Sequence, residues 1–144
     1  MVTRRHADAG GRAGTGRTGT GGHAALLRQV RLRAERVLAA ARDGHRPEAE
    51  LTALTDYARS ELRRQAADEE RRLRLASAPP DVSRALARDH ARLVSCVDAL
   101  ARAASGEQPL SAAQLTVTTR DFVAQLERHL RADELASAWN IVAV

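Results

Sequence analysis

The sequence predicts an all-α protein, an antiparallel up-down-up-down four-helix bundle preceded by a disordered N-terminal tail. Apolar residues recur at alternating spacings of three and four in four segments joined by short links, which is the pattern of amphipathic helices in a bundle. Only three of the 144 residues are aromatic, so the core must be built from Leu, Val and Ala, which suits close-packed helices. No segment alternates apolar and polar residues as a strand does.

Residues 1–22 are predicted to be the disordered tail. They contain seven of the nine glycines, with Arg and Thr between them and almost no large apolar side chains. Such a segment cannot bury enough apolar surface to offset the entropy lost on ordering. We expect a solubilising tail, with a weak nucleic-acid-binding arm as the minority alternative.

The first hairpin is predicted to contain two helices. In the first, Gly44 is positioned as a C-terminal cap, and the inward stripe consists of His23, Leu27, Val30, Ala34, Val37 and Ala41. In the second, which begins at Pro47 and ends before Pro79-Pro80, the stripe consists of Leu51, Leu54, Ala58, Leu62, Gln65, Glu69 and Leu73.

The second hairpin repeats this plan. Its first helix begins near Asp81 and ends at Ser105-Gly106, with a stripe of Leu86, His90, Leu93, Val97, Leu100 and Ala104. Ser111 and Gln114 form a capping-box pattern that opens the last helix, whose stripe is Leu115, Phe122, Leu126, His129, Asp133 and Ala136. The predicted bundle spans residues 23–138, as two αα-hairpin repeats over about 23–76 and 81–137.

Polar residues interrupt the apolar stripes at matching places in the two repeats. His23 corresponds to His90, and the pair Gln65 and Glu69 corresponds to His129 and Asp133. Up-down topology places all of these positions at one end of the bundle and turns them inward. Burying them without partners would cost several kcal/mol per group, of order 2–7 for a polar group. Either they form a closed hydrogen-bonded cluster or they bind a metal such as iron, manganese or zinc.

This pattern resembles the hemerythrin-like (HHE cation-binding) domains over residues 23–137. The residues that carry the resemblance are His23, the segment Gln65-Ala66-Ala67-Asp68-Glu69-Glu70, Asp89-His90, and His129-Leu130-Arg131-Ala132-Asp133-Glu134. The resemblance implies a four-helix bundle with a non-haem di-iron centre, which binds oxygen or senses or handles nitric oxide, peroxide or iron. It also implies that His23, His90 and His129 are terminal metal ligands and that Glu69 and Asp133 are bridging carboxylates.

Two residues depart from the family pattern and predict a degenerate metal site. Gln65 stands where the family has His, and Val94 stands one turn after His90, where the family often has another ligand. An amide oxygen is a much weaker ligand than an imidazole, and a valine cannot ligate. A di-iron site, a single iron and a metal-free relic all remain open. In the last case the domain would be a helical interaction or regulatory module.

The charge distribution and the absence of known catalytic motifs argue against nucleic-acid binding and enzyme activity. The basic residues are 23 arginines with no lysine, and residues 1–22 carry +3 of the net charge of +5, so the helical part is nearly balanced. With no aromatic platform for stacking bases, this argues against nucleic-acid binding. No phosphate loop or nucleophile elbow is present, and we expect no enzyme. Without a signal peptide or membrane span, we expect a cytoplasmic protein, with a protein partner or homodimer left open.

The charged run after Gln65 is predicted to be a solvated helix face. Within it only Glu69 lies on the inward stripe, whereas Asp68, Glu70, Arg71 and Arg72 are expected to form pairs on the surface.

Overall fold

The computed structural model of the chain describes residues 20–142, with side chains from residue 22 to residue 136. Within that range it has four α-helices, which confirms the predicted all-α class: α1 (Thr20–Arg42), α2 (Glu48–Leu75), α3 (Pro80–Ser105) and α4 (Ala112–Val142). The tail prediction for residues 1–19 lies outside the described residues. Thr20, Gly21 and Gly22, which were placed in the tail, belong to α1.

The helix ends use the residues that the sequence indicated. Gly44 (φ +69°) ends α1 in a Schellman arrangement, in which the N–H of His45 donates to the carbonyl of Ala40 at 3.0 Å. Gly106 (φ +79°) ends α3 in the same left-handed conformation. At the start of α4 the Ser111 N–H donates to Gln114 Oε1 at 3.0 Å, and the Gln114 N–H donates to Ser111 Oγ at 3.1 Å. This is the predicted capping box.

The four helices pack as a bundle in which each one contacts two neighbours. Helices α1 and α3 each pack against both α2 and α4. The inward stripes meet in one core of aliphatic side chains around a single phenylalanine, and its fully buried large members are Val30, Val37, Leu51, Leu54, Leu93, Val97, Leu100, Phe122 and Leu126.

Most of the buried polar side chains, apart from Thr55 and Thr119, gather toward one end of the bundle, where α1 begins. Gln65, Glu69, His129 and Asp133 are all buried there. The core thus changes from hydrocarbon at one end to hydrogen-bonding groups at the other, as the stripe spacing predicted. None of the helices in the described part of the chain is both long and apolar enough to cross a bilayer.

Candidate metal centre

All four helices contribute to the polar end of the bundle. His23 lies in the first turns of α1, and His90 lies on α3. On α2, Gln65 and Glu69 are one turn apart, and His129 and Asp133 have the same spacing on α4. Residues four apart share a helix face, so each pair points in one direction, toward the bundle axis. The structure brings the predicted site residues together, but as two separate groups.

The first group consists of Glu69, His90 and His129, and we call it the His129 group. His129 is 1% exposed and Glu69 is 5% exposed, and their Nε2 and Oε2 atoms are 3.1 Å apart. A carboxylate only accepts hydrogen bonds, so the imidazole donates. The His90 ring lies beside them, with its centroid 6.1 Å from that of His129.

Each of the two histidines of this group has one ring nitrogen that makes no hydrogen bond. The Nδ1 atoms of His90 and His129 are buried and have no hydrogen-bond partner. Burial lowers the pKa of His90, and the neighbouring His129 ring lowers it further, against a smaller opposing effect of Glu69. His90 is therefore held in the neutral form, which is the form in which imidazole binds metal ions.

The second group surrounds His23 and Asp133, and we call it the His23 group. Asp133 Oδ2 lies 3.0 Å from His23 Nε2 and 2.8 Å from an Nη atom of Arg72. The amide nitrogen of Gln65 lies 3.4 Å from the same His23 nitrogen. On the other side of the ring, Glu134 Oε1 lies 3.5 Å from His23 Nδ1.

The His23 group is a network of full charges. The hydrogen bond to Asp133 raises the pKa of His23, burial opposes this, and Glu134 adds to the rise. For Asp133, burial favours the neutral acid, but the hydrogen bonds from His23 and Arg72 outweigh it and lower the pKa. His23 is thus favoured as an imidazolium and Asp133 as a carboxylate, with the Arg72 guanidinium beside them.

The predicted placement of Arg72 is wrong. Its side chain is 28% exposed and turns inward to Asp133, whereas Arg71 is 59% exposed and pairs with Asp68 at the surface as expected. A signal was present in the sequence, because positions 65, 69 and 72 follow the same alternation of four and three. Sequence reasoning also did not anticipate the contact of Glu134 with His23.

Val94, at a position where the family often has another ligand, lies on the solvent side of α3. Its side chain is 38% exposed, so it is turned toward the surface rather than toward the half-buried His90 and the buried His129. A ligating residue at this position would need to turn away from the solvent side of α3. The departure from the family pattern that does reach the centre is Gln65.

The donor chemistry of the two groups differs in how well it suits a cation. Within residues 22–136, no group of three or more His, Cys, Asp and Glu side chains is arranged to hold a metal ion. The His129 group nevertheless fits by its chemistry, because it offers two imidazoles with unpartnered nitrogens and one carboxylate. The His23 group does not fit, since its donors already contact a guanidinium and an amide.

A cavity of about 370 Å³ connects the surface to the His129 group. It lies between α3 and α4 and is lined by Asp89, Arg92, Gln125, Arg128 and His129. Arg92 and Arg128 are exposed, so the cavity opens to solvent at these residues. A small molecule in the cavity would lie next to His129, which is itself 1% exposed.

One of three comparisons with known proteins, the one with family descriptions, finds a match. No curated protein and no solved structure matches the chain. The family description "Hemerythrin HHE cation binding domain" matches residues 20–136, a span that includes both groups and the core of all four helices. The chain therefore belongs to the hemerythrin HHE cation-binding domain family.

Proposed function

We propose that this protein binds iron at Glu69, His90 and His129 and uses it to sense or handle oxygen, nitric oxide or iron. The observation that carries the proposal is the His129 group: a buried carboxylate and a buried imidazole 3.1 Å apart, with a second, neutral imidazole alongside. The family match supports cation binding as the general activity.

The donor set favours iron among the available cations. Two imidazoles and one carboxylate, with positions left open, suit Fe(II), and they also accept manganese or zinc. Bound iron would supply open coordination positions for a small ligand and one-electron redox chemistry. The cavity beside His129 is where oxygen or nitric oxide would approach that position.

Binding requires a local rearrangement of the protein's own side chains. The hydrogen bond between His129 Nε2 and Glu69 Oε2 opens, so that a carboxylate oxygen and the imidazole are released as donors. The His90 ring, whose centroid is 6.1 Å from that of His129, would be the second imidazole at the ion. Since both histidines bind a cation in their neutral form, the low pKa of His90 favours this step.

The test is metal content per chain, measured by elemental analysis on untagged protein expressed with added iron, together with an absorption spectrum in air. We expect iron in the wild type and its loss in Glu69→Gln and His129→Ala. His45→Ala is the matched control, because His45 is exposed in the α1–α2 link and should leave the iron content unchanged. Wild-type protein that is metal-free and indifferent to added Fe(II), Mn(II) and Zn(II) would refute the proposal.

A second function, a metal-free helical interaction or regulatory module, is favoured by the His23 group. There His23 and Arg72 neutralise Asp133 with protein groups alone, at 3.0 and 2.8 Å, which is what a bundle without metal requires. This alternative predicts that the contacts within the His23 group and the His129–Glu69 hydrogen bond persist in protein expressed with added iron. Strong ordered metal density at Glu69, His90 and His129 in a crystal structure would exclude it.

A further inference from the structure

We propose that Arg72 is a built-in cation that closes the His23 group to metal, so that this chain takes up one ion at the His129 group instead of two. This inference rests on the proposed function for the location of the first ion. It assigns to Arg72 a role in setting the number of ions, through its contact with Asp133.

The first argument is the use of a single carboxylate oxygen. Arg72 and His23 both contact Oδ2 of Asp133, at 2.8 and 3.0 Å. A carboxylate oxygen has two lone-pair directions in its plane, and these two donors use both. Because Asp133 is 2% exposed, water cannot take over if either donor leaves. Oδ2 is therefore unavailable to an ion, and Asp133 cannot bridge two ions with one oxygen on each.

The second argument is charge. A guanidinium does not lose its proton at any accessible pH, so Arg72 places a permanent positive charge where a second metal ion would have to sit. A divalent cation at the same carboxylate would be repelled by it at close range. A second ion would neutralise the Asp133 carboxylate, but Arg72 already does so.

The third argument is that Gln65 acts in the same direction. Its amide lies 3.4 Å from His23 Nε2 and provides no imidazole for an ion. The side of the centre that has Gln65 in place of a second imidazole is thus the same side that contains the extra guanidinium. The two changes together convert half of a metal centre into an ion-pair network.

The test restores the missing ligand with and without Arg72. Four proteins are compared by Zn(II) titration calorimetry and by elemental analysis after removal of free metal: wild type, Gln65→His, Gln65→His/Arg72→Met and Gln65→His/Arg71→Met. Zn(II) is chosen because it does not change oxidation state. Arg71 is the matched control, since it is the neighbouring arginine and pairs with Asp68 at the surface.

We expect Gln65→His and its Arg71 control to bind the same number of ions as the wild type. The Gln65→His/Arg72→Met protein should bind one ion more per chain, with a thermal shift on Zn(II) addition larger than that of Gln65→His. Circular dichroism checks that each protein is folded. If the Gln65→His/Arg72→Met protein is not folded, Gln65→His/Arg72→Gln is used instead. Its glutamine keeps a hydrogen-bond donor near Asp133 without the charge.

Two results would overturn the inference. One is a second ion in Gln65→His while Arg72 is present, and the other is no additional ion in the folded protein that lacks it. A wild type without metal would refute the proposed function instead. The inference about Arg72 is judged separately, by the difference between Gln65→His and the same protein with Arg72 replaced.

Discussion

At the scale of single residues, the centre is governed by how two buried carboxylates are neutralised. Glu69 has an imidazole partner, His129, and Asp133 has an imidazole and a guanidinium. A buried carboxylate that loses its partner costs several kcal/mol, about 3–5 when a buried pair is broken. Each carboxylate therefore depends on its neighbours for stability as well as for any metal chemistry.

His129→Ala is expected to lower the free energy of unfolding of metal-free protein by about 3 kcal/mol, because it leaves Glu69 buried without its hydrogen-bond donor. Urea denaturation measures the change. His45→Ala, at an exposed position, should shift the midpoint little. Equal midpoints for the two variants would contradict the buried pair.

The residues on the inward stripes could be predicted from the sequence, whereas their partners could not. The positions of Glu69, His129 and Asp133 follow from helical spacing, since burial repeats every three to four residues. Arg72 lies next to the stripe on a long, flexible side chain that can reach inward or outward. The direction that the Arg72 side chain takes depends on Asp133, 61 residues further along the chain. Spacing marks position 72 as one that can face inward, but it does not identify this partner.

At the scale of helices, the ends are determined by local chemistry and are correspondingly predictable. Gly44, Gly106 and the Ser111–Gln114 box were indicated by residue type alone, and each acts where it was expected. The outer limits of α1 and α4 extend beyond the predicted ones, to Thr20 and Val142. Backbone hydrogen bonds continue a helix past its buried stripe, and the stripe was the only signal available there.

Gly106→Ala is expected to lower the free energy of unfolding by about 1 kcal/mol, because φ is +79° and a Cβ is strained in that conformation. Nothing lies within 4 Å of the added carbon, so steric clash with neighbours does not contribute. Thermal denaturation measures the change.

Gly22→Ala is the matched comparison for this prediction. Gly22 lies within α1 and its added Cβ would also meet nothing within 4 Å, but its φ is not positive. Alanine is favoured over glycine in a helix, by up to about 1 kcal/mol. The two variants should therefore shift the melting temperature in opposite directions, and a shift of the same sign would refute the argument.

At the scale of the whole molecule, the two ends of the bundle differ in the side chains that they bury. Leu51, Leu54, Leu100 and Phe122 form a hydrocarbon core at the end where the α1–α2 and α3–α4 links lie. The other end contains the two polar groups. The aliphatic packing and the candidate ligands therefore lie at different ends, although the buried pairs of the polar end also contribute to stability.

Phe122→Leu is expected to lower the free energy of unfolding by about 1 kcal/mol, because it leaves a small cavity around a fully buried position. Iron content per chain should not change, since Phe122 lies about two helical turns before His129. Urea denaturation and elemental analysis measure the two effects. A parallel loss of iron would show that the two ends are coupled.

Metal should stabilise the folded protein by mass action. At a free concentration of one hundred times the Kd, a cation that binds only the folded state adds about 2.7 kcal/mol. We therefore expect added Fe(II) or Zn(II) to raise the melting temperature and a chelator to reverse the rise. Glu69→Gln should show no rise, because it lacks the carboxylate of the His129 group.

The separation of the two ends also bears on how the protein tolerates change. Because the hydrocarbon end and the glycine-capped links specify the bundle, single substitutions among the polar positions can alter the centre without abolishing the fold. Gln65 and Arg72 illustrate this freedom: the two residues remove a ligand and add a charge, yet His23 and Asp133 remain paired and buried or half-buried. The scaffold can thus accept substitutions among its polar positions while the aliphatic end keeps the bundle folded.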